Sequence, residues 1–72
     1  MNSIRNEIVG TIRRITSDKV MSEVILDTPA GQIAAVITTS SVKRLKLRKG
    51  TPASALFKAT NVSLKLPDVA DR

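Results

Sequence analysis

The sequence predicts an all-β domain, a five-stranded OB-like Greek-key barrel with one short helix between strands three and four. Three observations predict it. Period-2 alternation of apolar and polar residues recurs in several short runs, turn-forming residues separate those runs, and one stretch after the third run changes to helical spacing. Five strands with a short helix in that place is the element order of an OB-type barrel. An SH3-like barrel is the other small architecture the pattern allows.

The first strand is read over Glu7 to Ile15, with Ile8, Gly10 and Ile12 on one face and Val9, Thr11, Arg13 and Ile15 on the other. Gly10 in mid-strand predicts a bulge or bend at that point. A turn at Thr16-Ser17-Asp18-Lys19 leads to Val20 through Thr28, where Val20, Ser22, Val24 and Leu26 alternate with Met21, Glu23, Ile25 and Asp27. Pro29-Ala30-Gly31 is so short that this strand and Gln32 to Thr38 form an antiparallel hairpin. From Thr38 to Leu47 the alternation stops. Thr39 or Ser40 can cap a helix of one or two turns in which Val42 and Leu45 share a face. Lys49-Gly50 closes that connection. Thr51 to Ala59 resumes the alternation, with Ala53, Ala55, Phe57 and Ala59 facing one way and Ser54, Leu56 and Lys58 the other. A last strand is expected at Val62 to Leu66. Residues 1–67 read as a single domain and residues 68–72 as a polar C-terminal tail with little order.

A chain of 72 residues hides only about 60% of the surface its unfolded form exposes, so its stability is marginal. With no Cys and no His, disulfides and the usual structural metals are closed as reinforcement, which leaves self-association. The core draws on Val, Ile, Leu and Ala, with Phe57 as the one aromatic residue. Twelve Lys and Arg against six Asp and Glu give a net charge of +6, which points to an anionic partner. Neither a signal-peptide pattern nor a membrane-length apolar run is present, so the expected location is the cytoplasm.

An enzyme is not expected, because His and Cys, the commonest groups for acid–base and covalent work, are missing. Glu23 and Asp27 share a strand face, but two solvated carboxylates on a strand need no catalytic role. The informative residues are donors: Ser3, Arg5 and Asn6 near the start, Thr38 through Ser41 at the helix start, and Lys58, Thr60 and Asn61 near the end. A tetrahedral dianion is best held by charge-assisted bonds from Arg and Lys, by hydroxyls and by free backbone N–H groups. Each donor also has an ordinary reading, Ser40 as a helix cap and Arg5 or Lys58 as a solvated charge.

In their order and intervals, the segments Ser3-Ile4-Arg5-Asn6, Ile37-Thr38-Thr39-Ser40-Ser41-Val42 and Lys58-Ala59-Thr60-Asn61-Val62 resemble the molbindin (Mop, or TOBE-like) family. Gly10, Ser22-Glu23-Val24, Gly31-Gln32 and the stretch Arg44 to Gly50 extend the resemblance over about residues 2 to 66. It implies an OB-like domain that binds molybdate or tungstate at subunit interfaces, in a homo-oligomer that is commonly a hexamer built as a trimer of dimers. It implies no catalysis, no organic cofactor and no metal bound except as oxyanion; for a chain read as standing alone, the expected role is intracellular storage, buffering or carriage of molybdenum. Carried over by position, the oxyanion-binding residues are Ser3, Arg5, Asn6, Thr38, Ser41 and Lys58, and Ser40 and Thr60 beside them are expected to join the site. Met21 and Pro29-Ala30-Gly31 depart from the family's asparagine and Gly-rich turn, which touches secondary sites, and Thr60-Asn61 replaces smaller serines.

Two other classes bear on the charge. Five of the seven residues Lys43 to Lys49 are basic, and an OB-type barrel could use them against single-stranded nucleic acid. Such binders rely on aromatic stacking platforms, and Phe57, alternating with alanines, is expected in the core. Similar domains also occur attached to transporter ATPases and transcription regulators, whereas this chain reads as a protein standing alone, without a membrane partner.

Overall fold

One long strand organises the molecule. In a computed structural model, which describes residues 5–67, strand β1 (Arg5–Ser17) pairs antiparallel with β2 (Met21–Thr28) along one side and with β4 (Pro52–Lys58) along the other. Strand β3 (Gly31–Thr38) pairs antiparallel with β2, which gives the sheet order β3-β2-β1-β4. A fourth strand returning beside the first is Greek-key connectivity. Helix α1 (Thr39–Arg44) lies between β3 and β4, as expected, and a 3-10 turn (Ala59–Asn61) ends the sheet. The expected tail at 68–72 lies outside the described residues.

Among the described residues four strands form the sheet, and the expected fifth at Val62 to Leu66 is not one of them. After the Ala59–Asn61 turn, Val62 to Leu66 runs off β4 without joining either edge, and Leu64 is 94% exposed. The residues alternate as a strand requires, but alternation supplies no partner for the backbone. Within the described residues β3 and β4 remain unpaired along their outer edges.

The core is small. Ile12, Val24 and Leu26 are buried together, with Ile15, Ile37, Val42, Leu47, Ala53 and Ala55 packed around them. Ile12 and Ile15 both reach it because β1 carries a register shift between Ile12 and Arg14. Regular alternation would send Ile15 outward with Arg13, as the sequence reading had it. The bulge instead lets two successive residues, Arg13 and Arg14, stay exposed while the isoleucines on either side turn inward.

Gly10 is therefore not the site of the bulge. Its role is close approach: a Cβ there would sit 2.5 Å from the Asp27 carbonyl oxygen and 2.8 Å from Thr28 Cγ2. Gly31, at φ 106°, supplies the left-handed turn that the Pro29-Ala30-Gly31 hairpin needs. The opposite hairpin is shaped by Asp18, whose Oδ1 accepts from the backbone N–H groups of Val20 and Met21 at 2.8 Å each.

A buried polar chain locks the helix onto this hairpin. Ser22 Oγ lies 2.6 Å from Ser17 Oγ and 2.8 Å from Thr39 Oγ1, which bonds the Asp18 carbonyl at 2.8 Å. Thr39 is thus committed inward and does not cap α1. The N-cap is Thr38, whose hydroxyl accepts from the Ser41 N–H. Leu45, expected to share a buried face with Val42, is the C-cap and is half exposed; Leu47 packs on the core in its place.

Candidate oxyanion site

Arg5 opens β1 and Lys58 closes β4, and the ladder sets them directly opposite each other. Residues so paired point to the same face with Cβ atoms about 4.5–5.5 Å apart, where two like charges repel. Glu7 follows Arg5 on that face, yet the ion pair formed among the described residues is a different one, Arg13 with Asp27 at 3.2 Å. The two cations stand on an exposed end of the sheet, beside a hollow of about 460 Å³ lined by Arg5, Leu56, Phe57, Lys58, Thr60 and Asn61. Thr60 and Asn61 are carried there by the 3-10 turn that begins after Lys58.

Thr38, Ser40 and Ser41 form a second group at the start of α1. Thr38 Oγ1 accepts from Ser41 N at 3.1 Å, lies 2.7 Å from Ser41 Oγ, and accepts from Ser40 Oγ at 3.3 Å. Thr38 Oγ1 is saturated by these three partners, whereas the Ser41 hydroxyl can still donate; Thr38 and Ser40 are exposed and Ser41 is half-buried. The last helical turn carries Lys43 and Arg44, and the first turn carries no acidic residue.

A single chain does not bring the two groups together. Thr38 pairs with Met21, next to the Ser17–Ser22 end of β1, whereas Lys58 pairs with Arg5 at its other end. A strand of 13 residues measures about 40 Å along its path, less where it bends. Asn6 belongs to neither group: its register partner is Phe57 and it lies on the inward, half-buried face with Ile8 and Ile12. Ser3 lies outside the described residues.

Leu56 and Phe57 line the cation hollow although donor chemistry did not single them out. Their signal in the sequence is position: Leu56 shares the Lys58 face two residues earlier, and Phe57 sits beside it. The inward-facing serine and threonine at 22 and 39 were likewise hidden among exposed-looking polar residues, and only tertiary packing identifies them as structural.

The fold and these groups define a small all-β module that presents cations and hydroxyls on its surface. The TOBE-domain model matches residues 2–64, and the chain belongs to this family, among its molbindin (Mop) members. The molybdenum-pterin-binding protein MopA of Rhodobacter capsulatus is 43% identical over 63 residues, which cover 86% of this chain and 24% of that protein. This chain therefore spans about a quarter of the length of that relative. A molybdate binding protein from Sporomusa ovata superposes with a TM-score of 0.84 at 32% identity, covering 92% of this chain and 98% of the other. MopII from Clostridium pasteurianum does so with a TM-score of 0.82 at 28% identity, covering 92% and 100%.

Proposed function

We propose that the protein binds molybdate, or tungstate, in pockets completed where copies of the chain meet, and that it holds the oxyanion for intracellular storage or buffering without catalysing a reaction. The observation that carries this reading is the cross-strand opposition of Arg5 and Lys58. Two cations held side by side are costly alone and favourable around a dianion. Relatives named for molybdate or molybdenum-pterin binding support the identity of that anion.

The remaining donors come from Thr38, Ser40 and Ser41 of another copy, with Thr60 beside the cations and Ser3 entering from the N-terminal segment. Asn6, facing inward, shapes the strand end from behind. Support for assembly comes from what the single chain leaves open. Among the described residues both sheet edges are unpaired, and Val9, Val36, Leu56, Leu64 and Leu66 are exposed apolar residues. A strand edge and an alternating apolar segment each need a partner of the other kind. A second copy supplies both, so that Val62 to Leu66 serves as the fifth strand of a closed OB-like barrel in an assembly such as a trimer of dimers. The domain proposed for this role comprises residues 1–67 and acts in the cytoplasm; no helix among the described residues is long and apolar enough to cross a membrane.

Calorimetric titration of molybdate into the wild type and into Arg5→Ala/Lys58→Ala tests the assignment. Loss of binding in the double variant is expected, and retained affinity would refute it. Single-stranded nucleic acid is the weaker reading: such binders stack successive bases on several aromatic side chains, and half-buried Phe57 is the one aromatic residue in the sequence.

A further inference from the structure

A second basic surface lies away from the Arg5–Lys58 pair. The bulge in β1 turns Arg13 and Arg14 outward together, and the connection after α1 places Arg48 and Lys49 across a groove of about 880 Å³ from them. The groove floor is aliphatic, made by Ile12, Ile15, Val42 and Leu47. Its far wall is fixed. Gly50 N–H donates to the Ile12 carbonyl at 2.8 Å, Ile12 N–H to the Thr51 carbonyl at 2.9 Å, and Leu47 N–H to the Val42 carbonyl at 3.0 Å. Arg48 N–H adds a bond to Thr51 Oγ1 at 3.2 Å. Four cations are thus held on clasped backbone around an apolar trough, with Asp27, already paired to Arg13, as the carboxylate in its lining.

From this arrangement we infer that the groove is a docking surface for an acidic segment of a partner protein that carries aliphatic anchor residues. Charge complementarity selects acidic side chains, because Arg14, Arg48 and Lys49 form no ion pair among the described residues. The aliphatic floor selects leucine-like anchors over a nucleic acid, whose bases need aromatic or planar stacking surfaces that the lining lacks. It also selects against segment 62–67 of a second copy, which brings Lys65 and no carboxylate. A surface of this kind, separate from the oxyanion cations, lets a loaded protein be recognised by a partner without occupying the pocket.

Fluorescence anisotropy with the full chain tests it, using three labelled probes: a short peptide alternating glutamate with leucine, a matched peptide alternating glutamate with glycine, and oligothymidylate. The glutamate–leucine peptide is expected to bind best, to lose roughly tenfold or more in affinity to R14E/R48E, and to be unaffected by saturating molybdate or by R5A/K58A. The proposal is overturned by equal binding of the glycine peptide, by tighter binding of oligothymidylate, or by no peptide binding at all. A change in oligomer mass in R14E/R48E would also overturn it, assigning the groove to contacts between copies. Because molybdate titration of R14E/R48E is expected to match wild type, failure here leaves the oxyanion reading separately measurable.

Discussion

Arg5 and Lys58 face each other as register partners at the open end of the β1–β4 ladder, two cations with no carboxylate bonded to either among the described residues. Directly opposed like charges cost a sheet about 0.2–1 kcal/mol. Replacing Lys58 with Gln should therefore raise the melting temperature slightly without ligand, while removing most of the rise that excess molybdate gives the wild type. Thermal melts with and without molybdate check both halves. A variant that melted lower in each condition would point to a structural role for the lysine.

Gly10 is expected to be intolerant of any side chain. A Cβ would have to displace the Asp27 carbonyl, a backbone atom held in the β1–β2 ladder. Gly10→Ala should destabilise the fold by about 1–3 kcal/mol, as overpacking does. Urea denaturation measures this, and an unchanged midpoint would mean that the strands separate there at no cost.

The polar chain Ser17–Ser22–Thr39 predicts a second stability effect. Thr39→Val keeps the shape but leaves the buried Ser22 hydroxyl short of a partner and the Asp18 carbonyl without its bond. A loss of about 1–3 kcal/mol is expected. The same change should loosen the start of α1, visible as faster amide exchange at Ser41.

The Asp18 carboxylate is held below its usual range, first by the Met21 N–H and then by the Val20 N–H that it accepts. A depressed folded-state value means that the contribution is present above the unfolded value and is lost as pH falls through the folded one. The melting-temperature difference between wild type and Asp18→Ala should accordingly be full near neutral pH and shrink in strongly acidic solution. A difference that grew with acidification would contradict the assignment.

Much of this architecture was legible in the sequence, for identifiable reasons. Alternation placed β2, β3 and β4, and the brevity of Pro29-Ala30-Gly31 fixed their hairpin, because both depend on neighbours in sequence. Position within β1 was harder. Two arginines between Ile12 and Ile15 signal a bulge only when both isoleucines are known to be core. The choice between Thr38 and Thr39 as N-cap depended on Ser22 and the Asp18 carbonyl, far away in sequence. The fifth strand differs for another reason: Val62 to Leu66 has a strand's pattern, but a strand exists only with a partner, and the described residues of a single chain pair none with it. For the candidate site, donor chemistry singled out Arg5, Lys58, Thr38 and Ser41 as candidates, while register places them in two groups at opposite ends of β1.

That separation makes the central claim directly testable by mixing two defective proteins. Arg5→Ala/Lys58→Ala lacks the cations and Thr38→Ala/Ser41→Ala lacks the hydroxyls, so neither alone should bind molybdate. If pockets form between copies, co-refolded mixtures contain some pockets in which both groups are intact, and native mass spectrometry should detect molybdate bound to mixed assemblies. Mixed assemblies devoid of molybdate, or a monomer that binds it at full affinity, would contradict the account.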